Sequence, residues 1–412
     1  MKAYVEAYGC TLNFGESREI EDMLSAEGWE LVEDQADADL AVLATCVVVE
    51  KTERAMMKRV RALSSVPRLV ITGCMATAGS SKAAEIAPGV AFAPPGDLES
   101  VRRIAGNVGR PRAKKPRAPG SYCIVPLATG CTGRCSYCIT KLARGELRSR
   151  SSERIVREVE LAASSGPREI RLTAQDTAAF GSDSGTNIPE LVDQLCRLPL
   201  DFRLRVGMMN PRSVLPIIDK IADMYREQKV FKFLHLPVQS ASDRILSDMD
   251  RGYSAGDFRR IVKAVRKVVP EVTLSTDLIV GYPGEAEDDH RANLSLIEEQ
   301  KPDIVNVTRF SARPGTKAAK ADKQVVGWKA KDRSREITKV RFAVALAKDR
   351  AWLNRSVRAL ATENGKSHST ILRTDQYKQV VVAEELPLGR YYRVRVTGAN
   401  STYLRGSRIV SR

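Results

Sequence analysis

Residues 122–141 read Y-C-I-V-P-L-A-T-G-C-T-G-R-C-S-Y-C-I-T-K. An apolar run, Tyr122–Ala128, stops at Gly130 and delivers Cys131, Cys135 and Cys138 in C-x3-C-x2-C spacing. Five more strand candidates follow: Glu169–Thr173, Phe202–Gly207, Phe231–Leu236, Val272–Val280 and Ile304–Thr308. Helical stretches such as Ser152–Ser164, Pro189–Arg197 and Ala255–Val268 separate most of them. Six βα units predict an incomplete parallel barrel with its chemistry at the C-terminal ends of the strands. Polar groups gather there: the cysteine loop after the first strand, Gln175 and Asp176 after the second, Asn210 after the third. His235, Gln239 and Ser240 mark the fourth, and Asp277 the fifth.

Three local thiolates are too few for a structural zinc site, which closes with four ligands. They suit a cubane iron–sulfur cluster with one iron left open. The competing reading is a zinc knuckle completed from elsewhere, for which the chain offers three histidines and, nearby, only Cys123. Gly130 and Gly133 permit the tight loop, and Tyr137 falls beside whatever docks on the open iron.

Toward the N-terminus a linker rich in proline and cations, Gly109–Gly120, precedes this unit. Before it, strands (Ala3–Tyr8, Asp39–Thr45, Arg68–Thr72) alternate with helices (Glu16–Glu27, Glu50–Leu63), the pattern of an open α/β domain with a parallel sheet. Ligands collect just outside the carboxyl ends of such strands. Cys10, Cys46 and Cys74 each lie within a few residues of one. Spacing thus brings a second, dispersed triad to one sheet edge. Cys123, within a strand, and Cys196, at helical spacing in Leu191–Leu198, read as core thiols.

Beyond Ala351, Val357–Thr362, Thr370–Leu372, Gln379–Ala383, Tyr391–Thr397 and Arg408–Val410 alternate as strands, predicting a small five-stranded OB-like barrel, a common nucleic-acid binder. Net charge is +16, and residues 348–412 hold 13 Lys/Arg against 5 Asp/Glu. That concentration favours a polyanionic partner, nucleic acid foremost, over a generally basic surface. No apolar run approaches the roughly 18 residues of a transmembrane helix, and the first residues lack a signal-peptide core. A cytoplasmic protein without membrane attachment is expected, and there clustered thiols are metal ligands or catalytic groups more often than disulfides.

These motifs resemble the methylthiotransferase branch of the radical S-adenosylmethionine superfamily. The resemblance rests on Y-G-C-T-L-N (8–13), A-T-C-V-V (44–48), T-G-C-M (72–75) and C-T-G-R-C-S-Y-C-I-T-K (131–141). A-R-G-E-L-R-S (143–149), H-L-P-V-Q-S-A-S-D (235–243), D-L-I-V-G-Y-P-G-E (277–285) and R-P-G-T (313–316) extend it, and G-R-Y-Y-R-V-R-V-T (389–397) and S-T-Y-L-R-G (401–406) resemble a TRAM domain. L-T-A-Q-D-T-A-A-F-G (172–181), G-T-N-I-P-E-L (185–191) and R-V-G-M-M-N-P (205–211) are most similar to the archaeal and eukaryotic, MtaB-like subgroup.

The resemblance implies an N-terminal methylthiotransferase domain (1–110), a linker (111–120), a radical S-adenosylmethionine core (121–346) and a TRAM domain (347–412). It implies two 4Fe–4S clusters, the radical-generating one on Cys131, Cys135 and Cys138 and an auxiliary, sulfur-delivering one on Cys10, Cys46 and Cys74. The expected substrate is N6-threonylcarbamoyladenosine at position 37, in the anticodon loop of tRNA. An electron donor and a sulfur source are further implied partners, and nothing demands more than a monomer.

For S-adenosylmethionine itself, Gln175, Asp176, Gln239, Ser240 and Asp277 are the candidate contacts. Asp277 and His235 read equally as strand-end hydrogen-bonding groups. Arg205 is expected to face a carboxylate, of either S-adenosylmethionine or the threonyl group, or equally to make a structural ion pair. Asn13 shapes the loop of the dispersed triad. Alternative substrates are isopentenyladenosine in tRNA or a ribosomal-protein aspartate, and a non-catalytic iron–sulfur RNA-binding protein is the reading from another class. A basic C-terminal barrel would repel a basic ribosomal protein.

Overall fold

The computed structural model describes residues 1–111, 122–166 and 168–410. The N-terminal unit is a parallel sheet of β1 (Lys2–Ala7), β2 (Glu30–Leu31), β3 (Leu40–Thr45), β4 (Arg68–Gly73) and β5 (Ala91–Phe92), in the order β2-β1-β3-β4-β5. The central strand β3, L-A-V-L-A-T, is buried along its whole length, as a strand covered on both faces must be. The first helix begins at Thr11, before the expected Glu16, because Cys10 takes extended backbone and serves as its N-cap. Most of the linker, from residue 112 to 120, lies outside the described residues.

The middle unit contains β6 (Cys123–Pro126), a short antiparallel pair β7 (Ala128–Thr129) and β8 (Arg148–Ser149), then β9 (Glu169–Thr173), β10 (Arg203–Val206), β11 (Phe233–His235), β12 (Thr273–Val280) and β13 (Ile304–Arg309). Two parallel runs, β10-β9-β6 and β11-β12-β13, form the arc of the partial barrel. A bridge between Leu204 and Val230 joins them. The expected strand from Phe231 is regular only from Phe233, since the Phe231 N–H turns to the Leu204 carbonyl at 2.9 Å and continues that seam. One apolar core, aliphatic and aromatic, fills the space between this sheet and its outer helices.

A single helix, Gly327–Arg350, packs on β13 and on helix Glu287–Gln300, and runs through the position expected for a domain boundary. Its charged residues are dispersed around the axis, which hid its amphipathic stripe in the sequence. Beyond it, β14 (Ser356–Asn364), β15 (Thr370–Thr374), β16 (Gln379–Val382), β17 (Tyr391–Ala399) and β18 (Leu404–Arg408) close a barrel in the order β14-β15-β16-β18-β17. The last strand is Leu404–Arg408, not Arg408–Val410. Leu404 is buried and pairs with Val380 and Ala399, whereas Ile409 and Val410 remain exposed. Among the described residues no helix is long and apolar enough to cross a membrane.

Candidate functional site

The compact cysteine loop hangs from the end of the first barrel strand and is held by backbone. Gly130 has φ +77°, and a Cβ there would lie 1.8 Å from the Glu146 carbonyl oxygen, so only glycine fits. The Cys131 N–H donates to the Gly145 carbonyl at 3.2 Å, and the Cys138 N–H to Cys135 at 3.1 Å. Cys138 then caps the short helix Ile139–Arg144. Two sulfurs already receive donors: Gly133 N–H reaches Cys131 Sγ at 3.3 Å, and Arg251 Nη1 reaches Cys135 Sγ at 3.1 Å. Arg251 also touches the Tyr137 hydroxyl at 3.3 Å and Asn210 Oδ1 at 3.3 Å. Burial pushes the Cys131 thiol up to about 11.

The dispersed cysteines sit at the carboxyl ends of three adjacent strands, β1, β3 and β4, as their spacing predicts. Asn13 pins two of the three loops. Its Nδ2 donates to the Tyr8 carbonyl at 2.7 Å and the Thr45 carbonyl at 2.8 Å. The Cys74 N–H donates to the same Thr45 carbonyl at 3.1 Å, so one carbonyl ties all three strand ends. Gly9, at φ +103°, lets the Cys10 loop approach so closely that a Cβ would stand 2.5 Å from Cys46 Cβ. Burial raises the Cys46 thiol and pushes Cys74 up to about 11, with the neighbouring thiols adding to both shifts.

Arg144 joins the two triads. It ends the helix capped by Cys138, yet its guanidinium reaches the dispersed set. Both Glu16 carboxylate oxygens accept from it, at 2.6 and 2.9 Å, and Asn13 Oδ1 at 2.6 Å. Its charge partly offsets the effect of burial on the Cys74 thiol. A second tie runs from Arg313, in the R-P-G-T stretch, to Glu53 on the helix that follows Cys46. Arg313 also lines a crevice of about 220 Å³. Cys138, Tyr137, Gln239 and Asp277 line one side, and Val48 and Val49, directly after Cys46, line the other.

Both donor sets are three thiols each at strand ends, and in the compact set N–H donors are aimed at two of the sulfurs. That is the donor chemistry of an open iron–sulfur cubane rather than of a hard cation. Among the described residues no three His, Cys, Asp or Glu side chains gather around a single ion position. A cubane, whose thiolates bind separate irons, makes no such demand. Ligation needs thiolates, so metal binding reverses the thiol shifts and releases protons.

The expected S-adenosylmethionine contacts divide. Gln175 is half-buried, and its Oε1 has no hydrogen-bond partner among the described residues. Gln239 takes a left-handed backbone, φ 68°, between Asp277 and Ile279 and lines the crevice. Asp277 lines it too, fixed by His235 Nε2 at 3.1 Å and Asn306 Nδ2 at 2.7 Å. Asp176 and Ser240 do not join them. Asp176 is buried and accepts from Ala178 N, Asn210 N and Ser213 Oγ at 3.1, 2.9 and 2.6 Å, so it positions the Asn210 turn. Burial raises its carboxyl. Ser240 is wholly inaccessible and its Oγ accepts from Ser242 N at 3.2 Å. Strand-end placement alone could not distinguish inward from outward groups. Cys123 is buried in β6 and Cys196 packs half-buried against the core.

Sequence reasoning assigned no role to Arg251, Arg144 or Glu16. Arg144 lies inside the conspicuous A-R-G-E-L-R-S stretch, while Arg251 gave no signal because its partners in the cysteine loop, Cys135 and Tyr137, are over a hundred residues away in sequence.

Residues 125–297 match the Radical SAM superfamily, and residues 2–93 match the Uncharacterized protein family UPF0004. TsrM, a radical S-adenosylmethionine methyltransferase from Kitasatospora setae, shares the fold with a TM-score of 0.57 at 15% identity over 77% of each chain. Fold and cysteine loop together define a radical S-adenosylmethionine enzyme, a class that uses a 4Fe–4S cluster and S-adenosylmethionine. The chain is 39% identical to the probable threonylcarbamoyladenosine tRNA methylthiotransferase of Pyrococcus horikoshii, over 98% of this chain and 99% of that one. It is 30% identical to the Homo sapiens threonylcarbamoyladenosine tRNA methylthiotransferase, over 98% of this chain and 73% of that one. It belongs to the threonylcarbamoyladenosine tRNA methylthiotransferase family.

Proposed function

We propose that this protein adds a methylthio group to carbon 2 of N6-threonylcarbamoyladenosine at position 37 of tRNA. The observation that carries the reading is that the Arg144–Glu16 pair ties the helix after Cys138 to the helix after Cys10, while Cys138 and Val48–Val49 line one crevice. Carbon 2 of adenine is an unactivated C–H position that acid–base groups cannot readily attack. When bound, two 4Fe–4S clusters and S-adenosylmethionine supply hydrogen-atom abstraction and the methylated sulfur. The protein supplies placement, which is worth much of such a barrier.

Cys131, Cys135 and Cys138 would hold the cluster that works with S-adenosylmethionine, and Cys10, Cys46 and Cys74 the auxiliary cluster. Gln175, Gln239 and Asp277 offer polar contacts to S-adenosylmethionine, while Val48 and Val49 give an apolar wall against which a base can rest. The C-terminal barrel would carry the tRNA. An electron donor and a sulfur source complete the set of partners. Nucleoside mass spectrometry on tRNA from a deletion strain tests the reading. Threonylcarbamoyladenosine should accumulate without its methylthio form, and a normal methylthio level would reject the assignment.

A further inference from the structure

A second cavity, of about 440 Å³, occupies the lumen of the partial barrel beneath the cysteine loop. Its wall includes Thr11, the residue after Cys10, and His235, which is bonded to Asp277 of the crevice above. The C-terminal barrel closes it with Arg373 and Tyr377. The lumen thus reaches the residue next to Cys10 and, through the His235–Asp277 bond, the wall of the crevice that Cys138 lines. Its volume is in the range of small-ligand sites.

Arg205 stands in this wall in an unusual electrostatic position. On β10 it is the register partner of Arg171 on β9. Arg171 is neutralised, with Glu169 at 2.6 Å and Glu363 at 3.1 Å. No carboxylate among the described residues pairs with Arg205, and its Nε is shut from solvent without a hydrogen-bond partner. What it has are aromatic faces, Phe233 at 5.0 Å and Tyr377 at 5.9 Å from the guanidinium carbon. Such contacts offset only part of the cost of desolvating a cation. Burial, with Arg171 and Arg373 nearby, outweighs the favourable influence of Tyr377 and Glu169 and holds the Arg205 pKa below its ordinary value. A fold that keeps an uncompensated guanidinium facing a cavity is short of one anion there.

We propose that Arg205 is the receptor for the carboxylate of the threonylcarbamoyl arm, and so the residue that selects the amino-acid-modified base. This rests on the functional reading above. Carbons 2 and 6 of adenine flank N1 on one edge, so a base presented to the triads by carbon 2 carries its N6 arm into the lumen. A bidentate guanidinium–carboxylate pair suits that arm, and an uncharged isopentenyl arm would leave the cation unpaired. The α-carboxylate of S-adenosylmethionine has the same chemistry, so the test must separate the two.

The test uses the reconstituted full-length protein and Arg205→Met, with Arg205→Lys as the charge-retaining control. Probes are tRNA bearing threonylcarbamoyladenosine, the same tRNA lacking the arm, and S-adenosylmethionine alone. We expect Arg205→Met to lose at least about 30-fold in kcat/KM on the modified tRNA. It should bind both tRNAs alike, keep wild-type affinity for S-adenosylmethionine, and melt about 2–4 °C higher than wild type. Arg205→Lys should recover part of the discrimination. A merely structural arginine would lower the melting temperature on removal, which would overturn the proposal. Persistent discrimination in Arg205→Met, or an equal loss of S-adenosylmethionine binding, would overturn it too. Failure of wild type to turn over the modified tRNA would instead reject the functional reading, and this proposal with it.

Discussion

Arg144 holds both carboxylate oxygens of Glu16, at 2.6 and 2.9 Å, across the seam between the barrel and the N-terminal sheet. The side chains are 1% and 7% exposed, so neither charge has water to fall back on. Removing one partner of such a pair costs about 3–5 kcal/mol, whereas replacing both with apolar groups can be nearly neutral. Arg144→Met and Glu16→Met should each lower unfolding free energy by that amount, and the double variant by distinctly less than their sum. Urea titrations of the four proteins form the cycle. Additive losses would mean that the two charges are not coupled.

The dispersed triad should be separable from the compact one. Cys10 lies at the end of β1, and its loss leaves the C-x3-C-x2-C loop and its donors Gly133 and Arg251 untouched. Anaerobically reconstituted wild type should carry about eight irons, two cubanes of four, and Cys10→Ala about four. The variant should still cleave S-adenosylmethionine yet insert no sulfur. Unchanged iron and retained methylthiolation would show that Cys10 is no ligand.

Much of this site was legible because it depends on local spacing or on strand ends. The C-x3-C-x2-C loop is local, and the placement of Cys10, Cys46 and Cys74 follows from parallel-sheet geometry. What stayed hidden depends on side-chain direction or on distant partners. Asp176 and Gln175 are neighbours after one strand, yet one turns into the protein and the other keeps a free acceptor. Helix Gly327–Arg350 escaped notice because its charges are spread around it. The last strand was misplaced toward the exposed Ile409 and Val410 because apolar content there mimicked a strand that pairing through Leu404 provides.

The outer face of the C-terminal barrel makes a case for polyanion binding beyond net charge. Arg358 on β14 lies directly opposite Arg393 on β17, and both are exposed. Like charges facing each other across strands are destabilising, and Arg358 is held over the Tyr391 ring at 3.8 Å. A phosphate backbone would relieve the repulsion. Arg393→Glu should weaken tRNA binding and lower the slope of log affinity against log salt by about one, measured by filter binding at several salt concentrations. An unchanged slope would move the tRNA to another face.

Asp303 docks that barrel on the core and should make the joint acid-sensitive. It accepts from Lys348 at 2.6 Å and from Lys378, which precedes β16, at 2.7 Å. Burial alone would raise its pKa, but the two ammonium groups outweigh burial and hold it below the ordinary value. A depressed folded pKa means that the unfolded chain binds the proton first. The stabilisation from Asp303 is therefore complete above about pH 4, its unfolded value, and is lost as pH falls toward the depressed folded value. Asp349, raised by burial, titrates in the opposite sense as it takes up its proton at higher pH. Urea unfolding between pH 3 and 7 should show stability falling below about pH 4 in wild type, with a flatter profile in Asp303→Asn. Asp349→Asn should leave that acid limb in place, and an acid limb unchanged in Asp303→Asn would assign it to other carboxylates.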